Sequence, residues 1–147
     1  MISIHNRGTE ILDIDPEFFV LWLGDLCRSE QKELGEIGLV WCSDDALLEV
    51  NKEFLDHHYY TDIITFDYCV GSTISGDLMI SVDRVRENAA EWGEMFHVEL
   101  LRVVAHGILH LLGYGDKSEA EATEMREMES KALAMVSRET LSSLKQL

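Results

Sequence analysis

Proline and cysteine are scarce in this sequence: Pro16 is the one proline, and the cysteines are Cys27, Cys42 and Cys69. A single proline points to few rigid linkers. Three widely spaced cysteines without a CxxC pair argue against a disulfide scaffold or a cysteine-zinc module and predict a reduced, cytosolic protein. Long apolar runs are missing as well. No segment approaches the roughly 18 consecutive apolar residues of a spanning helix, and the opening MISIHNRGTE lacks a basic stretch leading into an apolar one, so neither membrane insertion nor secretion is expected. Positive charge is the third deficit. Lys and Arg number 12 against 28 Asp and Glu, a formal net charge of −16, which opposes non-specific adhesion to phosphate-rich surfaces. Any nucleic-acid role must therefore be local. What remains is ordinary globular material, 46% hydrophobic and 27% charged over 147 residues. That is enough for one domain, residues 1–147, burying about two-thirds of its unfolded surface.

The patterning predicts an α+β fold with a mixed sheet of about four strands. Ile2 and Ile4 alternate with polar neighbours as a first strand, and Pro16 opens a helix carrying Phe18, Phe19, Leu21, Trp22 and Leu26. Gly35 to Ser43 reads as a buried strand. Asp44 then suits the N-cap of a helix reaching about Phe54. Asp62–Tyr68 and Ile74–Val82 read as two strands joined through a turn at Gly71 and Ser72, a possible hairpin with one member at a sheet edge. Another helix begins at Ser81 or Asp83 and stops at Gly93. From Phe96 to Leu112 a helix is apolar almost all round, which places it at the centre of the domain. Ser118 and Glu121 form a capping box for a last helix that buries Met125, Met128, Ala132, Met135 and Val136.

The central helix bears a polar stripe. Glu99, Arg102, His106 and His110 follow one another in steps of three, four and four, within roughly 80° of arc. His106 and His110 project from one face with about 6 Å of axial offset, the distance over which two imidazoles converge on one cation. Gly113 supplies a left-handed helix end, and Asp116, just past the turn, is placed to fold a carboxylate back over the stripe. Two imidazoles and a carboxylate leave a coordination position open, as a catalytic zinc site requires. Solvent-facing histidines are the plainer reading of an isolated HxxxH, but this pair interrupts an apolar helix and leads into a glycine turn with a third donor. An HExxH protease places its general base after the first histidine, and position 107 is glycine, which disfavours peptide hydrolysis.

HGILHLLGYGD, residues 106–116, resembles the HGxLHLxGYDH signature of the YbeY family, the bacterial rRNA maturation endoribonucleases. Asn51 with Tyr60-Thr61-Asp62-Ile63-Ile64-Thr65-Phe66 is similar to that family's N…PTDVLSF segment, and Gly76-Asp77-Leu78-Met79-Ile80-Ser81 to its GDIxIS strand. Met125 and Glu129 fall where the family's M…E pair follows the metal motif. The resemblance spans residues 51–129. It implies metzincin-like α/β/α layering and one zinc per chain held by His106, His110 and Asp116. It also implies a single-strand-specific endoribonuclease acting in 16S rRNA 3′-end maturation and ribosome quality control.

Two departures from the pattern carry expectations of their own. Asp116 replaces the family's third histidine, so the donors leave a local charge of +1 rather than +2. We expect a less acidic bound water than the value of roughly 7 in strongly activating zinc sites, and easier acceptance of manganese. Leu55 replaces the arginine expected to contact phosphate, with His57 or His58 as possible substitutes. Asp77 and Asp67 are the candidate general bases, Thr61 and Asp62 either orient ligands or contact the RNA backbone, or cap a strand, and Arg102 is expected to pair with Glu99 rather than a phosphate. Glu129 is a candidate support for a metal ligand. So acidic a chain is expected to bind free RNA weakly and to reach rRNA and the small ribosomal subunit through a ribosomal protein or assembly factor. No DNA or membrane partner is expected. A metal-dependent hydrolase of another bond and a ribosome-assembly factor with a structural metal are the alternatives.

Overall fold

Apolar and polar residues alternate along four segments, and these form one sheet in the computed structural model, which describes residues 1–147. β1 (Ile2–Arg7) runs parallel to β2 (Glu33–Cys42), β2 is parallel to β4 (Thr73–Ser81), and β4 is antiparallel to β3 (Ile63–Asp67). The order is β1-β2-β4-β3. Parallel neighbours require crossovers, and α1 (Pro16–Ser29) supplies the first. Asp15 caps α1 by accepting from the Glu17 amide, and Pro16 occupies a position that lacks an intrahelical partner in any case. α2 (Asp44–Leu55) leads from β2 towards β3. The expected hairpin of β3 and β4 is present, with β3 at the sheet edge.

Ser43, not Asp44, caps α2, its hydroxyl accepting from the Ala46 amide. Asp44 instead lies in the first turn, where its carboxylate receives the Ser81 hydroxyl at 3.0 Å and the Arg84 guanidinium at 2.8 Å. α3 (Val82–Trp92) is capped by Ser81 and ends at Gly93, whose φ of 68° is the left-handed conformation that glycine adopts freely. α4 (Phe96–Leu111) is the predicted central helix, and α5 (Glu119–Ala134) starts with the Ser118–Glu121 capping box. The last helix is shorter than the pattern suggested. It stops at Ala134, Ser137 caps a separate α6 (Arg138–Ser143), and Met135 in the connection is exposed rather than buried.

Strand alternation sorts the side chains to two faces. Leu39, Trp41, Leu78 and Ile80 join α1, α4 and α5 in a core of 26 buried residues, while Ile64 and Met79 join Leu47 and Val50 of α2 in a core of five. The sheet is thus sandwiched between helices. On the larger side, α4 lies close against the sheet because position 107 has no side chain. A Cβ there would meet Leu78 Cδ2 at 2.8 Å and Ile63 Cδ1 at 2.9 Å, inside ordinary contact distance. No helix is long and apolar enough to cross a membrane.

Candidate metal centre

The last two turns of α4 carry His106 and His110, and the Gly113 turn, with φ of 106°, reverses the chain so that Asp116 returns to them. The two imidazole Nε2 atoms are 3.0 Å apart, and Asp116 Oδ2 lies 3.2 Å from that of His110 and 3.3 Å from that of His106. Four-coordinate zinc with bonds of roughly 2.0–2.1 Å places its donors about 3.3–3.4 Å apart. The observed triangle is close to one face of such a tetrahedron, and this group could hold a metal ion.

Donor chemistry supports the same fit. His106 Nδ1 is 2.7 Å from Glu129 Oε2, and His110 Nδ1 is 2.9 Å from the Tyr114 carbonyl. Both partners accept hydrogen bonds, so each Nδ1 donates and each neutral ring turns a lone pair outward at Nε2. Two lone pairs and a carboxylate oxygen facing one another repel, and a cation between them relieves the repulsion. Glu129 is buried and also receives Arg102 at 3.3 Å. Arg102 therefore pairs with Glu129 on α5, not with Glu99 as expected. Burial alone lowers the His106 pKa, but the Glu129 hydrogen bond and the charges of Glu129, Asp116 and Asp62 outweigh it, leaving the ring above its usual range.

A cleft of about 490 Å³ opens on this group. Thr61, Asp62 and Asp67 line one wall from β3 and the turn before it, and Leu55 and His57 line another. Of the two candidate bases, Asp67 reaches the cleft rim, where it accepts from the Cys69 amide at 2.8 Å. Asp77 lies on the opposite sheet face, crowding the space above Gly38. Asp62 also lines the cleft, half-buried and close enough to His106 for the two charges to interact; burial pushes its pKa up, and His106 is the leading opposing influence. His57 also borders the cleft, its ring stacked on Tyr59 at 5.1 Å. His58 is exposed beside Asp56 and is not part of the lining. Asn51 is buried and donates to the Tyr59 carbonyl at 2.9 Å, which fixes the loop after α2. The Tyr114 carbonyl carries no side-chain signal in the sequence; only the glycine turn points to it.

The model of the family described as Endoribonuclease YbeY matches residues 7–137. A Phocaeicola vulgatus protein named Endoribonuclease YbeY is 48% identical over 137 residues, covering 93% of this chain and 99% of that protein. Its namesake from Porphyromonas gingivalis is 45% identical, covering 97% and 93%. The solution structure of TM1509 from Thermotoga maritima superposes with a TM-score of 0.61 at 27% identity, covering 89% of this chain and 87% of that one. With the histidine stripe, the sandwiched sheet and these relatives in agreement, the chain belongs to the YbeY endoribonuclease family.

Proposed function

We propose that this protein is a metal-dependent endoribonuclease that cuts single-stranded RNA, acting in 16S rRNA 3′-end maturation and ribosome quality control. The observation that carries the reading is the convergence of His106 Nε2, His110 Nε2 and Asp116 Oδ2 within 3.0–3.3 Å of one another, with both Nδ1 atoms tied down. Zinc held by these three donors, or manganese given the aspartate oxygen, would polarise a scissile phosphate and acidify a bound water. The protein's residues do the rest. Glu129 and the Tyr114 carbonyl hold the two rings in the ligating tautomer. Asp62, its pKa raised by burial, takes up a proton from the attacking water at its carboxylate. The cleft lining contains neither Lys nor Arg, which agrees with weak affinity for free RNA and with delivery to the small ribosomal subunit in the cytoplasm by a ribosomal protein or assembly factor.

Peptide hydrolysis is poorly served by the same site. Position 107, which holds the glutamate in HExxH enzymes, faces the sheet with no room for a Cβ. The test sets an unstructured RNA bearing the 16S 3′ end beside an unfolded peptide, with zinc- or manganese-loaded protein and with His110→Ala and Asp116→Ala. RNA cleavage lost in both variants, with reduced metal content by elemental analysis, is the expected result. Peptide cleavage without RNA cleavage, or unchanged metal affinity in Asp116→Ala, overturns the reading or removes Asp116 from the site.

A further inference from the structure

Behind His106 lies a second cavity, about 230 Å³, which shares Asp62 and His106 with the larger cleft. Its rim is formed by Trp92, the last residue of α3, and Arg126 of α5, whose guanidinium carbon lies 5.2 Å from the indole ring centroid. Trp92 is 66% exposed, whereas Trp22 and Trp41 are buried. An aromatic surface left in water at the mouth of a cavity, with a guanidinium over one face of the ring, leaves its other face for an unpaired base to stack on.

Charge points to the same place. Leu55 leaves the larger cleft without a cation, and within the second cavity Arg102 is engaged by Glu129. Arg126 also lines it, near enough to Glu99 for their charges to interact but with no carboxylate within 4.0 Å, so its guanidinium donors are free to meet an incoming phosphate. The interior is different. Asp62, Glu99 and Glu129 repel a phosphate, and with both Glu129 oxygens engaged by Arg102 and His106, Asp62 and Glu99 are the carboxylates left to accept from an exocyclic amine. The base therefore goes inward and the phosphate stays at the rim.

We propose that this cavity is a nucleotide subsite for single-stranded RNA, in which a base bearing an exocyclic amine stacks on Trp92 and its phosphate meets Arg126. The proposal rests on the endoribonuclease reading above. A strand crossing the Asp62–His106 partition places one nucleotide here and the neighbouring linkage at the three donors. A base whose exocyclic amine is held by Asp62 or Glu99 has its pairing edge occupied, so the subsite itself favours unpaired RNA.

Because the other two tryptophans are buried, emission on mixing reports on Trp92. Metal-loaded protein is mixed with short oligocytidylate in a stopped-flow instrument and read before cleavage, and affinity is measured separately by anisotropy of dye-labelled RNA. Quenching is expected with the parent protein. Trp92→Phe should bind without the quench, and Trp92→Ala should weaken binding roughly 5- to 150-fold, the span of one base–aromatic stack. Arg126→Gln should reduce the slope of log K against log salt by about 0.7, and oligouridylate should bind more weakly than oligocytidylate. RNA cleavage by the parent with unchanged affinity in Trp92→Ala, or equal binding of the two oligonucleotides, overturns this assignment alone. A parent that neither binds nor cleaves RNA overturns it together with the endoribonuclease reading.

Discussion

The two faces of the sheet are unequal. On one, α1, α4 and α5 share a core of 26 buried residues, and the histidine stripe is mounted on its central helix. On the other, α2 rests on a core of five, and its last residue Leu55 and, beyond it, Tyr59, both exposed, line the cleft. The two histidines are thus fixed to the best-packed part of the molecule, with Asp116 brought to them by an exposed turn, and the wall opposite them belongs to the least-packed part. Local opening costs least where few apolar contacts must break. The difference assigns geometric precision to the helix side and adaptability to the α2 side, a division that suits an enzyme whose substrate is a flexible strand.

The largest expected effect comes from cutting into the thick core. Leu101→Ala should lower stability by about 2–5 kcal/mol in a denaturant melt, and Leu47→Ala on the thin side by an amount nearer the lower end of that range. Hydrogen exchange should show α2 opening before α4 in the parent protein. Equal costs for the two variants, with α2 and α4 exchanging together, would break the comparison. Next in size is Glu129→Gln, which keeps the shape of the side chain but loses the carboxylate facing His106 Nδ1. Metal affinity should fall about 10- to 100-fold by competition titration while the melt stays near that of the parent. An unchanged affinity would show that the packing of α4 suffices to orient the ring.

The smallest effect is a shift with pH. In metal-free protein the His106 pKa is raised above its ordinary value of 6.5, so the folded state holds that proton more tightly than the unfolded chain. This stabilisation is fully present below 6.5 and is lost as pH rises through the higher folded value. Metal binding has the opposite dependence, weakening as acidification protonates the ring. Glu129→Gln should move the midpoint of that loss to lower pH, since Glu129 is the chief group raising it. A midpoint that stays in place would assign the shift to Asp116 and Asp62.

The elements set by local pattern were legible in the sequence: the apolar helix ending at Gly113, the capping box at Ser118, the hairpin of β3 and β4. So was the convergence of His106, His110 and Asp116, because helical spacing and one glycine turn suffice to bring them together. Contacts between distant segments were not. Arg102 has Glu99 three residues away, yet its observed partner is Glu129, brought by the packing of α5 on α4. Asp77 and Asp62 both lie in strand-like segments, and only the side of the sheet on which α4 settles tells which of them reaches the cleft. The break after Ala134 was hidden because Met135 and Val136 continue an apolar pattern that Ser137 interrupts by capping a new helix.

The position of the donors at the C-terminal end of α4 bears on the order of events. There the aligned peptide dipoles present roughly half a negative charge, and the whole chain adds a formal −16. A cation is drawn to this end of the helix and a polyanion is turned away, until the bound ion reverses the sign of the field locally. The expected order of loading is therefore sequential, the ion first and the nucleic acid second.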